Sequence, residues 1–159
     1  MTRPRVLVLG LNYAPEHTGI APYTAGMARA LSSDYDVQVV TAHPHYPEWR
    51  IAEGYGAWRQ NERDADVAVR RLRHYVPSNP TGPTRVLSEV SFAARALTSG
   101  VRRPDIVLTS SRSVPLCYPS SALARWPSAG VSLWVSSYRI STVARWSRSA
   151  CSATTVAAW

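Results

Sequence analysis

The chain has 159 residues and a formal net charge of +8, and its 18 basic residues are all arginine. This length allows one domain with a hydrophobic core, and no apolar stretch approaches the roughly 18 residues needed to span a bilayer. The amino terminus lacks the order of charged, apolar and small residues that marks a secretory signal, so we expect a cytoplasmic protein.

The positive charge is concentrated in the last third of the chain. Residues 1–110 carry thirteen arginines against ten acidic residues, whereas residues 111–159 carry five arginines and no acidic residue. Arginine-, alanine- and proline-rich usage without lysine is typical of a GC-rich genome, so it is weak support for a nucleic-acid surface. We therefore expect no nucleic-acid partner. The alternative is a small basic protein that binds nucleic acid or a membrane surface.

The first part of the chain has the pattern of a βαβ unit. The apolar run Val6–Leu9 is too continuous for a half-solvated strand, so it predicts a strand buried on both faces that stops at Gly10. A loop, a helix near residues 20–32 and a second strand near residues 37–42 follow. The helix is expected to pack through the apolar residues that recur at helical spacing, which are Tyr23, Met27 and Leu31. Ligands of open α/β sheets bind outside the carboxyl ends of the strands, so the loop after the first strand is a candidate site.

Strand and helix patterns continue to alternate after this unit. The stretch His43–Asn61 is a long aromatic loop, and residues 67–72 alternate as a third strand nearer a sheet edge. A helix at 84–100, capped by Thr84, and a fourth strand at 105–109 follow. The expected packing face of this helix consists of Val86, Val90, Ala94, Leu97 and Val101. The alternation predicts an α/β fold with a Rossmann-like parallel sheet and flanking helices.

The composition changes after Thr109. Twelve of the last 49 residues are serine, four of the six tryptophans lie here, and acidic residues are absent. No apolar period persists long enough to predict an element. Natural disordered tails contain few large apolar side chains, so residues 111–159 resemble neither a domain nor a linker. We expect an irregular, poorly ordered tail.

Four ordered sequence blocks resemble the amino-terminal domain of family 4 retaining glycosyltransferases, in particular the colanic-acid and exopolysaccharide type. The blocks are G-L-N-Y-A-P-E-H-T-G-I-A-P-Y-T, T-A-H-P-H-Y-P-E-W, E-G-Y-G-A-W-R and Y-V-P-S-N-P-T-G. They lie within residues 4–110, which we expect to form a partial domain of this type. The resemblance implies the amino-terminal half of a GT-B fold and sugar transfer from a nucleotide-sugar to a glycan or lipid-linked acceptor of the cell envelope. It implies no cofactor, since the nucleotide-sugar is a co-substrate.

The resemblance also implies that much of the active site is absent from this polypeptide. Transferases of this class use two Rossmann-like domains, and the family's paired glutamates and Arg/Lys pair lie in the second domain. We therefore expect an inactive, truncated fragment. The localisation that follows is the cytoplasm, with peripheral contact at the inner face of the membrane as a further expectation.

A frameshift explains the tail in terms of this resemblance. If the codons of Leu133–Ser147 end in G or C wherever the code allows, reading from each third base can yield L-G-L-V-V-P-D-L. The family has an L-G-L-W-V-Q-D-L-Y-like block on its fifth strand at about this distance. Residues 111–159 are therefore expected to be out-of-frame translation.

The resemblance places the acceptor, and in the closed form the donor phosphates, near the loop after the first strand. The residues expected at this loop are Asn12, Tyr13, Glu16, Thr18, Gly19 and Ile20. Gly19 would allow close approach of a ligand to the backbone, and a simple turn is its alternative role. Glu16 could accept hydrogen bonds from sugar hydroxyls or be a solvated carboxylate. The expected sugar contacts in the second loop are His43, His45, Tyr46 and Trp49, with structural packing as the alternative for each.

Other chemistry is poorly supported by the sequence. The H-x-H spacing of His43 and His45 lacks a third ligand, and Cys117 and Cys151 have neither CxxC spacing nor a nearby histidine, so we expect no metal. Neither a Ser/His/Asp triad nor a Walker loop can be assembled. Arginines 70, 71 and 73 cluster at the end of the third predicted strand, where they indicate a solvated strand end or a phosphate contact.

Overall fold

A mainly parallel sheet lies between two layers, each with one helix. The computed structural model describes residues 3–101, 104–110, 130–137 and 140–145. The elements in chain order are β1 Arg5–Gly10, α1 Ala21–Leu31, β2 Asp36–Ala42, β3 Arg59–Asp64, β4 Val67–Leu72, α2 Gly82–Leu97, β5 Ile106–Ser110, β6 Gly130–Ser137 and β7 Ile140–Arg145. The predicted α/β Rossmann-like class is confirmed, as are the four predicted strands and both helices, with bounds within two or three residues.

The strand order is β3-β4-β2-β1-β5-β6-β7. The pairs β1–β2, β2–β4, β1–β5 and β5–β6 are parallel, and the pairs β3–β4 and β6–β7 are antiparallel. Strand β1 lies between β2 and β5, so its carboxyl end is in the middle of the row of strand ends where ligands of such folds bind.

Three strands were not predicted from the sequence. Strand β3 consists of the polar residues RQNERD, and it forms because it pairs along its whole length with β4. Strands β6 and β7 lie in the tail, where no pattern predicted an element. The rest of residues 111–159, and with it the expected disorder of that stretch, lies outside the described residues.

The sheet separates two apolar clusters. Val6, Val8, Val37 and Val39 point to the α1 layer, and Leu7, Leu9, Val40 and Leu72 point to the α2 layer. This alternation follows from the period of two along each strand. Both faces are covered, which explains why these strands are continuous apolar runs.

The predicted packing face of α1 was partly wrong. Tyr23 is 70% exposed, and the buried residues are the small ones, Ala21, Thr24, Ala25 and Ala28. Met27 and Leu31 lie half-buried at the border of the core. Small side chains let the helix axis approach the sheet closely, so alanines rather than the large apolar residues form the contact.

The predicted face of α2 was wrong at Val86, Val90 and Ala94, whereas Leu97 is half-buried and Val101 packs against the α2-side cluster as predicted. Val86 and Val90 are 54% and 49% exposed, whereas Ser88, Phe92, Ala93 and Ala96 are buried. The helix carries two apolar faces, and the sequence period alone does not say which one meets the sheet. The helix also begins earlier than predicted. Its cap residue is Thr81 rather than Thr84, and Oγ1 of Thr84 accepts the N–H of Thr81 at 2.8 Å.

The carboxyl ends of β1 and β5 are held unusually close. A Cβ on Gly10 would lie 3.0 Å from the carbonyl oxygen of Ser110, which is closer than ordinary packing allows. Ser110 Oγ also lies 2.6 Å from Thr24 Oγ1 of α1, and this hydrogen bond is buried. Gly10 therefore allows β1, β5 and α1 to meet directly below the loop that follows β1.

Candidate functional site

Three loops meet at the carboxyl edge of the sheet. They are residues 11–20 after β1, residues 43–58 after β2 and residues 73–81 after β4. Because β1, β2 and β4 are neighbours in the sheet, the loops that leave them are neighbours too. All ten residues predicted for the site lie on the first two of these loops, and the structure brings the two loops into contact.

Glu16 joins the first loop to the second. Its Oε1 accepts the backbone N–H groups of His45 and Tyr46, at 2.8 and 2.9 Å. Its Oε2 accepts the side-chain amide of Asn12 at 2.8 Å. The carboxylate is buried, so both oxygens are used inside the protein. Glu16 and Asn12 therefore position the loops, and the buried carboxylate of Glu16 is occupied by protein donors.

Tyr13 belongs to the core rather than to the surface of the site. Its ring is fully buried within the α1-side cluster, and its hydroxyl donates to Asp64 Oδ2 at 2.9 Å. Burial, and then the hydrogen bond and charge of Asp64, raise the pKa of the Tyr13 hydroxyl far above its ordinary value. The hydroxyl therefore remains protonated and anchors the loop to β3.

Thr18 and Gly19 form the exposed part of the first loop. Gly19 has φ +64, a left-handed conformation that favours glycine. Ile20 is the residue that precedes α1, and no side chain caps the first turn of this helix, which also contains no acidic residue. Pro22 has no N–H and Ala21 is fully buried, so the backbone donor of this turn that lies on an exposed residue is the N–H of Tyr23.

His43 and His45 are buried and shape the second loop. His43 Nε2 lies 2.8 Å from the carbonyl oxygen of Ala57, and burial lowers the pKa of His43. His45 Nδ1 lies 2.9 Å from the carbonyl oxygen of His43. Since the carbonyl can only accept, Nδ1 of neutral His45 carries the proton. Both imidazoles thus hold the turn, which matches the structural alternative for these residues.

Tyr46 is exposed beside Gly19 and Trp49 is half-buried, while the most exposed aromatic residue of the second loop, Trp58, lies against the guanidinium of Arg95. Tyr46 is 38% exposed, and the position of a Cβ on Gly19 is 4.0 Å from its ring. The rings of Tyr46 and Trp49 meet edge to face at 6.1 Å, and the guanidinium of Arg85 lies 5.2 Å from the Trp49 ring. Aromatic faces beside an exposed loop are suited to stacking on the apolar face of a sugar.

Arg71 has a role that sequence reasoning did not predict. It is buried, and its guanidinium bonds Glu62 Oε1 at 2.8 Å, the carbonyl oxygen of Ala42 at 3.3 Å and the carbonyl oxygen of Ala14. It also lies 5.1 Å from the ring of Tyr55. Arg71 is therefore neither a solvated strand end nor a phosphate contact, but joins β2, β3 and both loops of the site.

His74 was also missed, because it lies in a proline-rich turn segment without an apolar period. It is 8% exposed, and its ring meets His45 at 4.9 Å and Phe92 at 6.0 Å. Neither ring nitrogen has a hydrogen-bond partner among the described residues. Burial lowers the pKa of His74 to about 3, with the nearby His45 and His43 acting in the same direction, so the ring is neutral at pH 7.

The described residues contain no group of three or more His, Cys, Asp or Glu side chains that could hold a metal ion. Within the same ranges, neither the length nor the hydropathy of any helix is sufficient for a membrane span.

Two comparisons with known proteins bear on this arrangement. A family model described as a glycosyl transferase 4-like domain matches residues 18–159. Over 90 residues the chain is 42% identical to a protein of Escherichia coli (strain K12) that carries the name colanic acid biosynthesis glycosyl transferase WcaI. The aligned segment covers 56% of this chain and 22% of that protein, so the chain matches little more than a fifth of the relative's length.

Proposed function

Because this chain belongs to the glycosyl transferase 4-like domain family, we propose that it forms the acceptor-side wall of a glycosyltransferase active site. The reaction is the transfer of a sugar from a nucleotide-sugar to a glycan or lipid-linked acceptor in exopolysaccharide or cell-envelope biosynthesis. The similarity to a protein named for colanic acid biosynthesis supports this substrate class.

The observation that carries the proposal is the surface made of exposed Thr18, Gly19 and Tyr46 together with half-buried Trp49. The aromatic pair offers faces for a sugar ring, and the uncapped start of α1 offers the N–H of Tyr23 beside it. Fixed donors of this kind stabilise negative charge without reorganisation when a diphosphate begins to leave. The buried Glu16 and Arg71 hold the two loops that carry this surface.

One wall of a cleft does not complete the reaction. Orientation of the reactants and preorganised charge supply most of the rate enhancement of such an enzyme. The family resemblance assigns the donor-side groups to a second domain. We therefore propose that the 159-residue polypeptide, assayed alone, binds acceptor weakly and has no turnover.

Replacing Gly19 with tryptophan tests the site directly. The large side chain would cover the start of α1, and we expect the affinity for a lipid-linked or oligosaccharide acceptor to fall at least about tenfold, or about 1.4 kcal/mol. The control is Gly100→Trp, because Gly100 has the same φ of +64, has open space around it and lies at the opposite edge of the sheet. Isothermal titration with membrane lipid extract and oligosaccharides measures the effect.

Equal loss of affinity in both glycine variants would contradict the assignment of the site, since it would show only shared backbone strain. Turnover by the isolated wild-type chain with any nucleotide-sugar would contradict the proposed dependence on a donor-side domain.

We further propose peripheral contact with the inner face of the membrane through α2. The exposed side of this helix is a row of apolar residues made of Val86, Leu87, Val90 and Ala94. A lipid-linked acceptor is held at a membrane surface, and α2 begins at the same edge of the sheet as the site, where its Arg85 lies over Trp49, so an apolar row on α2 would bring the acceptor and the site together.

The double variant Val86→Ser, Val90→Ser tests this contact. Removing two half-exposed valines from a lipid interface should lower the fraction bound to phosphatidylcholine–phosphatidylglycerol vesicles about tenfold. Tyr23→Ser is the matched control, because Tyr23 is the more exposed side chain and lies in the opposite layer. If the control reduces vesicle sedimentation as much as the double variant, α2 is not the contact.

The division of the chain is also a proposal. Residues 4–110 would form the transferase-like domain, and residues 111–159 would be out-of-frame translation, as their composition indicates. Two observations stand against this proposal: the family match runs to residue 159, and β6 of the tail pairs in parallel with β5 and so continues the sheet. Sequencing the genomic DNA around the codon of Thr109 and translating all frames decides whether residues 111–159 are in frame or out of frame with the transferase-like domain.

A further inference from the structure

An open groove crosses strands β2, β3 and β4 near the amino ends of β2 and β4. Its volume is about 440 Å³, and the residues that line it include Gln38, Asn61, Arg63, Ala68 and Arg70. Small-molecule sites have volumes of roughly 300–1,000 Å³. The loops of the candidate site leave the carboxyl ends of the same strands, so the groove lies at the opposite edge of the sheet.

The arginines of β3 and β4 lie on one face of the sheet at this groove. Arg59 pairs with Leu72 of the α2-side cluster, so Arg59, Asn61 and Arg63 lie on the α2 side of the sheet. Arg70 lies on the same side, because it pairs with Asn61. Three guanidinium groups therefore come from two neighbouring strands on a single face.

The acidic residues of β3 alternate onto the other face. They are Glu62 and Asp64, and their carboxylates bond Arg71 and Tyr13 there. Strand β4 contains no acidic residue. The groove face thus receives positive charge from both strands and no carboxylate from either, and a groove lined by one sign of charge concentrates its field on an entering counter-ion.

Arg70 is held in place within the groove. Its Nη1 donates to the carbonyl oxygens of Ser99 and Gly100 at 2.7 and 3.2 Å, and its Nε donates to Asn61 Oδ1 at 3.0 Å. Burial, and then the charge of Arg59, lower the pKa of Arg70. The two guanidinium groups are therefore close enough to repel each other, and an anion beside both would offset this repulsion.

The groups that remain free in the groove include several hydrogen-bond donors. Asn61 uses its oxygen for Arg70, so its amide N–H groups are left over. Arg63 is exposed, and its guanidinium has no hydrogen-bond or ion-pair partner among the described residues. A guanidinium has no acceptor atom, and its planar fork matches two oxygens of a phosphate. The set fits the acceptor oxygens and multiple negative charge of a phosphate group.

We propose that Arg63 and Arg70, with Arg59 beside them, bind the phosphate group of a ligand in this groove. A free phosphorylated small molecule and the headgroup of an anionic phospholipid present the same oxygens, and the experiment distinguishes these two sources. The site is separate from the acceptor-side surface, so the inference does not depend on the proposed function.

The test uses the full 159-residue chain labelled with ¹⁵N-arginine. One arm titrates it with inorganic pyrophosphate, and the other adds phosphatidylcholine vesicles with or without phosphatidylglycerol. We expect the Nε–H signals of Arg63 and Arg70 to respond saturably, and the affinity to fall as salt is added. Arg63→Gln and Arg70→Gln assign the two signals.

Arg63→Gln also separates binding from folding. It should weaken the affinity at least about tenfold, because it removes charge-assisted hydrogen bonds to the phosphate, and it should leave the melting temperature unchanged. Arg63→Lys keeps the charge without the fork and should recover only part of the affinity. The matched control is Arg50→Gln, which removes the same charge from an exposed position of the second loop and should leave the affinity unchanged.

The two arms name the source of the phosphate. A saturable response to pyrophosphate that Arg63→Gln weakens supports the site and assigns it to a free phosphorylated molecule. A response confined to phosphatidylglycerol vesicles, weakened by the same variant, supports the site and assigns it to a lipid headgroup. Absence of both responses overturns the site. Equal weakening by Arg63→Gln and Arg50→Gln also overturns it, since only the net charge would then matter.

Discussion

Replacing Arg71 with leucine is expected to lower the free energy of unfolding by about 3 kcal/mol. The change leaves the half-buried Glu62 without its ion-pair partner and the carbonyl oxygens of Ala42 and Ala14 without the donor that Arg71 supplies. Each buried acceptor that loses its donor costs roughly 1–3 kcal/mol, and the lost ion pair adds to this. Urea unfolding followed by circular dichroism measures the loss.

Two further variants show whether the loss of stability comes from the contacts of the Arg71 guanidinium. Arg71→Lys should recover little of the stability, since a single ammonium cannot reach a carboxylate and two carbonyl groups in the fixed geometry of a guanidinium. Arg73→Leu is the matched control, because Arg73 ends the same strand region but is exposed, with one hydrogen bond of 3.3 Å to the carbonyl oxygen of Gly56. It should change stability by about 0.5 kcal/mol or less. If Arg71→Leu falls within that range, Arg71 does not join the loops.

Replacing Glu16 with alanine is expected to cost at least about 4 kcal/mol of folding stability and to abolish acceptor binding. Hydrogen bonds to charged groups contribute roughly 1.5–3 kcal/mol each, and alanine removes three of them at once. The N–H groups of His45 and Tyr46 would then lose their acceptor, and the second loop would detach from the first. Hydrogen exchange at these two amides and disaccharide titration are the measurements.

The control for Glu16 is Glu48→Ala, an exposed acid on the second loop. It removes the same charge without removing a loop contact, and should leave the protection of both amides unchanged. Glu16→Gln should be mild, because its amide oxygen can still accept both N–H groups and Asn12 can rotate its own amide to match. Retained protection of the His45 and Tyr46 amides in Glu16→Ala would refute the positioning role.

The sequence predicted those parts of the fold that depend on local patterns. The continuous run Val6–Leu9 identifies a strand covered on both faces, and the bounds of β2 and β4 follow from an apolar-rich segment and from alternation. The packing face of α2 could not be predicted, because its valines and its small residues form two competing apolar faces. Which face meets the sheet depends on Phe92 and the strands below it.

The same limit applies to the site. The sequence located the loops, since their position at the carboxyl ends of strands is a property of the fold. It did not predict that the Glu16 carboxylate would accept the backbone N–H groups of His45 and Tyr46, because those hydrogen bonds join residues far apart in the chain. Arg71 and His74 have no local signal for the same reason. Only the folded arrangement distinguishes an available carboxylate from one that holds two loops together.

Strand β3 has a further effect on how this protein behaves in concentrated solution. It lies at one end of the sheet, where a strand from another molecule could pair with it. All six of its residues are polar, and Arg59 and Arg63 are exposed along it while Glu62 and Asp64 turn inward to Arg71 and Tyr13. Edge-to-edge pairing would have to desolvate these arginines, so the polar strand protects this edge of the sheet from aggregation.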